Sequence, residues 1–438
     1  MKIGILAKIQ NSKEAKNAGW LIGGKIIQMI LALFVGVISA RYLGPDNYGL
    51  VSYGNSYVAF FMAFCTLGIN SVIVKELLDN PREEGVILGS SIVLRLLSSF
   101  ASSLMIVGVV AIMDHGEAVT IAVVALCSVS LVFHAFDTLQ YWFQARYQSK
   151  TTAFVVLIAY VLSSSYKIVL LIAGSSVQWF AFASSVDYIT MAVLLLGAYK
   201  RHRGEKLGFS TPVAKRIIKK SYHYILSSMM VVIYGQTDKL MLKQMLDEKQ
   251  VGYYTVALAV CNMWVFVLSA IIDSIYPTII KCFSENKEQY EKKNRQLYAI
   301  VFYLSVFASL GICLVGDWGI NLLYGKEYAS AGMPLKIITW YTAFSYLGVA
   351  RNAWIVCEGK QKYLKHIYFC AAILNVILNA ALIPLWGASG AAMASLMTEM
   401  ASIIVFPAVI APLRPNLKLM FQAFIAPWGN RKARKKCL

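Results

Sequence analysis

The chain has 438 residues, of which 58% are hydrophobic and 14% are charged, and its mean hydropathy is +0.61. Its formal net charge at pH 7 is +19. A water-soluble chain of this length could not remove so much apolar surface from water, so the composition excludes a soluble globular protein and predicts an integral membrane protein.

Apolar runs long enough to cross a bilayer as helices recur along most of the chain, since a helical span needs about 20 apolar residues. A barrel strand would be about ten residues of alternating polarity, so the run length favours helices. The predicted spans are 19–40, 51–74, 86–113, 118–143, 152–173, 176–198, 222–245, 252–279, 297–316, 333–353, 364–385 and 388–411. The predicted fold class is therefore all-α integral membrane, with twelve transmembrane helices.

The basic residues alternate from loop to loop. The two tails and the loops after even-numbered spans hold 32 of the 41 Lys and Arg residues. Cytoplasmic loops of membrane proteins carry an excess of Lys and Arg, so both termini are predicted to be cytoplasmic. Membrane topology explains the net charge better than nucleic-acid binding does, because no nucleic-acid-binding module is recognisable.

A basic linker divides the predicted spans into six and six. The predicted organisation is an N-terminal six-helix lobe at 1–198, a cytoplasmic linker at 199–221, a second six-helix lobe at 222–411 and a cytoplasmic basic tail at 412–438. Because six is even, both lobes run in the same direction through the membrane. This predicts a pseudo-two-fold axis along the membrane normal, a transporter plan with a substrate cavity between lobes.

Four segments resemble motifs of one known family. They are Arg41-Tyr-Leu-Gly-Pro-Asp-Asn-Tyr-Gly49, Val251-Gly-Tyr-Tyr-Thr-Val-Ala257, Leu323-Tyr-Gly-Lys-Glu-Tyr328 and Ile383-Pro-Leu-Trp-Gly-Ala-Ser-Gly-Ala-Ala392. Together they resemble the O-antigen and capsule repeat-unit flippases among the polysaccharide-biosynthesis exporters, in the multidrug/oligosaccharidyl-lipid/polysaccharide exporter superfamily. Peptidoglycan-precursor flippases look like relatives with two further spans. In this chain, no apolar run after about residue 411 is long enough for even one further span.

The resemblance implies two six-helix lobes around a central V-shaped cavity. It implies that the cargo is an undecaprenyl-diphosphate-linked oligosaccharide, moved from the cytoplasmic to the periplasmic leaflet of the bacterial inner membrane by alternating access. The implied partners are this lipid-linked oligosaccharide, membrane lipids, a polysaccharide polymerase and a chain-length regulator, with no nucleic acid.

Four basic residues lie inside predicted spans and are the candidate substrate-binding residues: Lys25, Arg95, Lys167 and Lys239. A cation at the bilayer centre costs about 2.5–3.5 kcal/mol on insertion scales, so such residues persist where they face water or a partner. Positive charge along the route suits a diphosphate. The alternatives are a structural ion pair, or, for shallow Lys25, a side chain that reaches the interface.

Acidic residues inside spans are the candidates for coupling transport to a proton or sodium gradient. The candidates are Asp137, Asp187, Asp238 and Glu399, with Asp187 and Asp238 preferred. The alternative is pairing with the buried cations. His134 and Asp137 are three residues apart and share one helical face.

Two other kinds of function remain open. A cation-coupled multidrug exporter of the same superfamily would favour an acidic, aromatic cavity. A polysaccharide polymerase or ligase would need a large outward loop with catalytic residues, whereas the outward loops here are short. No nucleotide-binding motif, nucleophile arrangement or metal cluster stands out, so neither an enzyme nor a cofactor other than a coupling H⁺ or Na⁺ is predicted.

Overall fold

The computed structural model describes the backbone of residues 13–425 as helices joined by short turns. It does not describe the side chains of residues 13–27, 149, 223–224, 226–228, 230–231 and 233–234. No strand occurs between residues 13 and 425. The chain divides into two compact units, Met1–Gln236 and Thr237–Leu438.

The first unit contains seven helices and the beginning of an eighth among its described residues. They are α1 (Lys13–Cys65), α2 (Ile73–Asp79), α3 (Glu84–Met113), α4 (Ala118–His134), α5 (Thr138–Ala145), α6 (Ser149–Ile172), α7 (Val177–Arg201) and α8 (Thr211–Met245). Helix α4 packs against α1, α3 and α7, and α6 packs against α1 and α7. One apolar cluster in this unit contains Leu88 near the start of α3, Trp142 of α5 and Ile217 near the start of α8.

A glycine breaks α1 between the first two predicted spans. Gly44 has φ 69° and ψ 172°, a conformation that costs a residue with a Cβ far more than glycine. Pro45 follows and has no N–H to donate to the preceding turn. The chain therefore leaves one helical axis and starts another at this turn.

The described part of the second unit begins within α8 and contains seven further helices. They are α9 (Glu248–Asn262), α10 (Val265–Glu285), α11 (Lys287–Leu323), α12 (Gly332–Cys357), α13 (Leu364–Met400), α14 (Phe406–Val409) and α15 (Arg414–Ile425). Helix α12 packs against α9, α10, α11 and α13. Residues Ala401–Val405 form a π-helical turn after α13.

A second glycine breaks α13 between the last two predicted spans. Gly387 has φ 54° and ψ −131°, and the amide N–H of Ala388 donates to Gln250 Oε1 at 3.0 Å. A Cβ on Gly387 would lie 2.6 Å from that same oxygen. The break folds the second part of α13 back beside the first, since a Cβ on Gly390 would lie 2.2 Å from the carbonyl oxygen of Leu382.

Helix α15 packs on α11 of the second unit, within the range predicted as a basic tail. Met420 and Ala423 are buried, and Asn416 Nδ2 donates to the Tyr298 hydroxyl at 2.7 Å. The sequence alone predicted a basic tail here and no packed helix.

Eight helical stretches among the described residues are long and apolar enough to span a membrane. They are Gln28–Cys65, Pro81–Met113, Ala118–Ala145, Lys150–Ile172, Val177–Arg201, Val265–Glu285, Lys287–Leu323 and Gln361–Val409. Apolar side chains on these helices face outward, among them Leu314 at 85% exposure and Ile172 at 84%. Such a surface suits lipid, so the chain is a multi-pass membrane protein. The number twelve and the two-lobe symmetry stay predictions.

Candidate cation and substrate sites in the helices

The carboxylate of Asp238, on α8, is the centre of a buried polar cage in the second unit. Asn375 and Asn379 donate their amide N–H groups to its Oδ1, at 3.2 and 2.7 Å. The hydroxyl of Tyr254 donates to its Oδ2 at 2.5 Å, and the hydroxyl of Ser395 donates to the same oxygen. All five residues are buried, and each carboxylate oxygen accepts hydrogen bonds from two of these side chains.

The order of the helices explains how this cage forms. Asn375 and Asn379 are four residues apart on α13, and so they lie on one helical face. The break at Gly387 returns the chain, so that Ser395 from the second part of α13 reaches the same carboxylate. Tyr254 comes from α9. Asp238 therefore ties together three helices of the second unit.

Lys239, the next residue along α8, attracts the Asp238 carboxylate electrostatically but forms no salt bridge with it. Among the described side chains, no Lys, Arg or His nitrogen lies within 4.0 Å of it, and all four hydrogen-bond donors are neutral. The amide oxygen Oδ1 of Asn379 is buried and has no hydrogen-bond partner. A buried negative charge beside an unsatisfied oxygen acceptor is a setting that a small cation or a proton would stabilise.

The guanidinium of Arg95 is the centre of a different cluster, in the first unit. Its Nη1 donates to Thr138 Oγ1 at 2.9 Å and to Asn70 Oδ1 at 3.4 Å. Its Nη2 lies 2.7 Å from His134 Nδ1 and 3.0 Å from the carbonyl oxygen of His134. His134 Nε2 in turn lies 3.0 Å from Asp137 Oδ2. Because Arg95 can only donate, His134 Nδ1 accepts and its Nε2–H donates to Asp137.

This geometry favours the structural alternative for Arg95. The side chain is 1% exposed, and it bridges α3 to the turn between α4 and α5. Asp137 is likewise held in the cluster, with a fixed positive charge nearby. Arg95 does not reach the surface of the described structure, so its role in substrate binding stays a prediction.

Lys167 and Asp187 lie on neighbouring helices of the first unit, α6 and α7, and both are partly buried. They attract each other electrostatically, but neither makes a hydrogen bond or an ion pair within 4.0 Å to another described residue. A lysine held this loosely retains donors for an anion. Of the predicted substrate-binding residues, Lys167 has the geometry that best suits that role.

The remaining predicted residues fall into three situations. Lys239, next to Asp238, is partly buried and makes no hydrogen bond to another described residue. Lys25 lies on α1, but its side chain is outside the described residues. Glu399 is buried near Arg351, which interacts with it electrostatically and donates to the carbonyl oxygen of Ser402 at 3.2 Å. The structure therefore does not bring the eight candidates together in one described site.

Sequence reasoning missed the four partners of Asp238. A signal was present, because two asparagines four residues apart interrupt the apolar run of the eleventh predicted span. Polar side chains on one face inside a span need partners. What the sequence could not supply was the pairing of that face with α8 and α9.

Comparisons with known proteins decide the family. A model of the family described as polysaccharide biosynthesis protein matches residues 15–283, more than half of the chain. The chain belongs to this polysaccharide biosynthesis protein family. A capsular polysaccharide biosynthesis protein, CapF of Staphylococcus aureus, is 19% identical over 89% of this chain and 98% of its own length.

Two further comparisons found similarity between this chain and membrane transport proteins. The lipid II flippase MurJ of Bacillus subtilis (strain 168) is 21% identical over 90% of this chain and 82% of its own length. An inward-facing multidrug resistance transporter of the MATE family has 15% identity and a TM-score of 0.66, with 90% of this chain and 96% of that chain covered. The family resemblance is confirmed, and these two proteins are named as a flippase and a transporter, not as enzymes. Because a drug transporter has the same fold, the fold does not identify the cargo.

Proposed function

We propose that this protein is a flippase that moves undecaprenyl-diphosphate-linked oligosaccharide repeat units, of O-antigen or a similar surface polysaccharide, from the cytoplasmic to the periplasmic leaflet of a bacterial inner membrane. Twelve spans in two six-helix lobes with a central cavity would perform this by alternating access, with both termini in the cytoplasm. Family membership and the flippase relative support the class of cargo. The alternating loop charges support the orientation.

The Asp238 cage is the observation that carries the proposed coupling to an ion gradient. In the structure, four neutral donors form hydrogen bonds to the carboxylate. A bound Na⁺ would need oxygen ligands, and rotation of the two asparagine amides would offer their Oδ1 atoms in place of N–H groups. A proton on Asp238 would instead turn one carboxylate oxygen into a donor. Binding of Na⁺ or of a proton would change the hydrogen bonds between α8, α9 and α13. These helices would then pack differently with and without the ion.

The positive charges needed for a diphosphate would come from two lysines that each lie near one carboxylate but form no hydrogen bond to it. Lys167 and Lys239 make no hydrogen bond to other described residues, so each can donate to phosphate oxygens without breaking an existing bond. Arg95 and Lys25 remain candidates from the sequence. A lysine binds as a point charge, which suits a cargo that must be released after transport.

The surroundings of the other acidic candidates differ. Asp187 has no hydrogen-bond partner among the described residues and remains a coupling candidate beside Lys167. Asp137 lies near Arg95 and Glu399 lies near Arg351, and each of these buried arginines attracts the neighbouring carboxylate electrostatically. No cofactor beyond the coupling ion is proposed. A polymerase and a chain-length regulator, which use the flipped repeat unit, are the proposed protein partners.

The proposal is tested with the purified full chain in proteoliposomes that contain a fluorescent undecaprenyl-diphosphate oligosaccharide. An impermeant quencher reports the fraction that reaches the outer leaflet under an inward or outward gradient of Na⁺ or H⁺. We expect protein-dependent movement that responds to one of the two gradients and is lost in Asp238→Asn. Movement of a cationic dye such as ethidium, with none of the lipid-linked sugar, would favour the multidrug exporter instead.

A further inference from the structure

The linker between the two predicted lobes is a docked segment of the first unit rather than a loose connection. The amide of Gly208 donates to the carbonyl oxygen of Gly85 at 3.1 Å, and the amide of Gly85 donates to Glu205 Oε2 at 3.1 Å. The amide of Ser210 donates to Ser90 Oγ at 3.0 Å. The linker backbone therefore lies directly along the first turns of α3.

Two glycines on α3 make this close approach possible. A Cβ on Gly85 would lie 2.3 Å from the carbonyl oxygen of Lys206, and a Cβ on Gly89 would lie 2.2 Å from that of Gly208. Both distances are shorter than non-bonded atoms tolerate. Any larger residue at either position would displace the linker.

Two acidic side chains beside the linker, Glu76 and Glu83, are paired with basic residues at the start of α8. Arg216 Nη2 donates to Glu83 Oε2 at 2.6 Å, and its Nε lies 3.3 Å from Glu76 Oε2. Lys220 pairs with the other oxygen of the buried Glu76. The hydrogen bond from Arg216 to Glu83 raises the pKa of that guanidinium, so it stays charged. These pairs fix the start of α8 to the first unit.

The outward face of the linker has the opposite character. We define the linker surface by six exposed residues: Lys206, Leu207, Phe209, Lys215, Ile218 and Lys219. Its three lysines make no hydrogen bond or ion pair to another described residue. Phe209 is 55% exposed, and Leu207 and Ile218 are each 39% exposed. Apolar side chains held outward among unpaired lysines are the composition of a segment that lies in the headgroup region of a bilayer.

We propose that the linker surface binds anionic phospholipid in the leaflet on which it lies. The lysines would contact lipid phosphates, and Phe209 and Leu207 would enter the boundary between headgroups and acyl chains. Anionic lipid would in this way hold the linker, and through Arg216 and Lys220 the start of α8, at the membrane surface. This inference does not depend on the cargo that the protein carries.

The test places a fluorophore at the proposed contact. The full-length Phe209→Trp protein is reconstituted in nanodiscs of phosphatidylglycerol or phosphatidylcholine that contain brominated acyl chains, and the parent protein supplies the background from native tryptophans. We expect the introduced indole to be quenched in phosphatidylglycerol and much less in phosphatidylcholine. Each lysine near an anionic surface strengthens binding by about fivefold, so the triple variant K206Q/K215Q/K219Q predicts a loss on the order of 100-fold in apparent affinity for phosphatidylglycerol.

A matched triple variant on another loop controls for charge and for folding. K287Q/K292Q/K293Q removes the same charge at the start of α11, and we expect it to leave the quenching unchanged. Equal quenching in both lipids, unaffected by either triple variant, would overturn the proposal, because it would reflect apolar insertion alone. Loss of the indole quenching on addition of inorganic pyrophosphate at matched ionic strength would also overturn the proposal, because it would indicate a diphosphate site.

Discussion

The substitution Asp238→Asn separates the ion site from the fold. The amide has nearly the shape of the carboxylate, and the hydroxyls of Tyr254 and Ser395 can rotate to accept from its new N–H group. Hydrogen bonds to a charged group are worth about 1.5–3 kcal/mol and neutral ones about 0.5–1.5 kcal/mol, so the four bonds weaken. Burying an amide costs less than burying a carboxylate, which offsets part of this loss. We expect the variant to fold with a net destabilisation of about 1–3 kcal/mol.

The effect on ion binding should be complete rather than partial. A cation at 100 times its Kd stabilises the folded protein by about 2.7 kcal/mol, and the neutral amide removes the charge that holds it. Unfolding of the purified protein is followed in NaCl against choline chloride at constant ionic strength. The wild-type protein should be stabilised by Na⁺, and Asp238→Asn should not.

Asp187→Asn is the comparison variant, because Asp187 is the other preferred coupling candidate and lies in the first unit. If it keeps the ion response and Asp238→Asn loses it, the response belongs to the cage. The same ion response in wild-type protein and Asp238→Asn would refute this reasoning.

The remaining predictions concern charges and glycines. Arg95→Ala should destabilise the protein by about 3–5 kcal/mol and lower its abundance in the membrane, because it removes the centre of a buried network; normal abundance on immunoblots with lost transport would instead support direct substrate contact. Lys167→Gln should leave thermal stability within about 1 kcal/mol and reduce flipping in proteoliposomes, and unchanged flipping would remove it from the substrate path. Gly89→Ala should displace the linker and speed tryptic cleavage within it, whereas Gly108→Ala on the same helix, with open space around it, should not. Gly387→Ala should destabilise by about 1–3 kcal/mol in chemical unfolding, and an unchanged midpoint would contradict the strain argument.

The sequence predicted the helical membrane class because hydropathy and length alone select it. Helices cover most of each of the twelve predicted ranges, and the turns at Gly44 and Gly387 fall between predicted spans. Helix α15 was not anticipated, since its burial depends on contacts with α11 that are distant in sequence.

The candidate site was harder to predict for a physical reason. Periodicity shows which residues share one helix face, but not which faces meet. Asp238 could be chosen as an intramembrane acid, yet its four partners come from two other helices. The sequence also allowed Arg95 to face a cavity. Only the packing of the helices shows that Thr138, Asn70 and His134 surround it.

The most direct test of the proposed function is the sidedness of the cargo in cells. In a strain that lacks the gene, undecaprenyl-diphosphate-linked repeat units are probed with an impermeant glycosidase in spheroplasts and in inverted vesicles. We predict that single repeat units accumulate on the cytoplasmic face, and that the intact gene, but not the Asp238→Asn form at matched abundance, restores their passage. Normal amounts and normal sidedness of these lipids without the gene would contradict the flippase proposal.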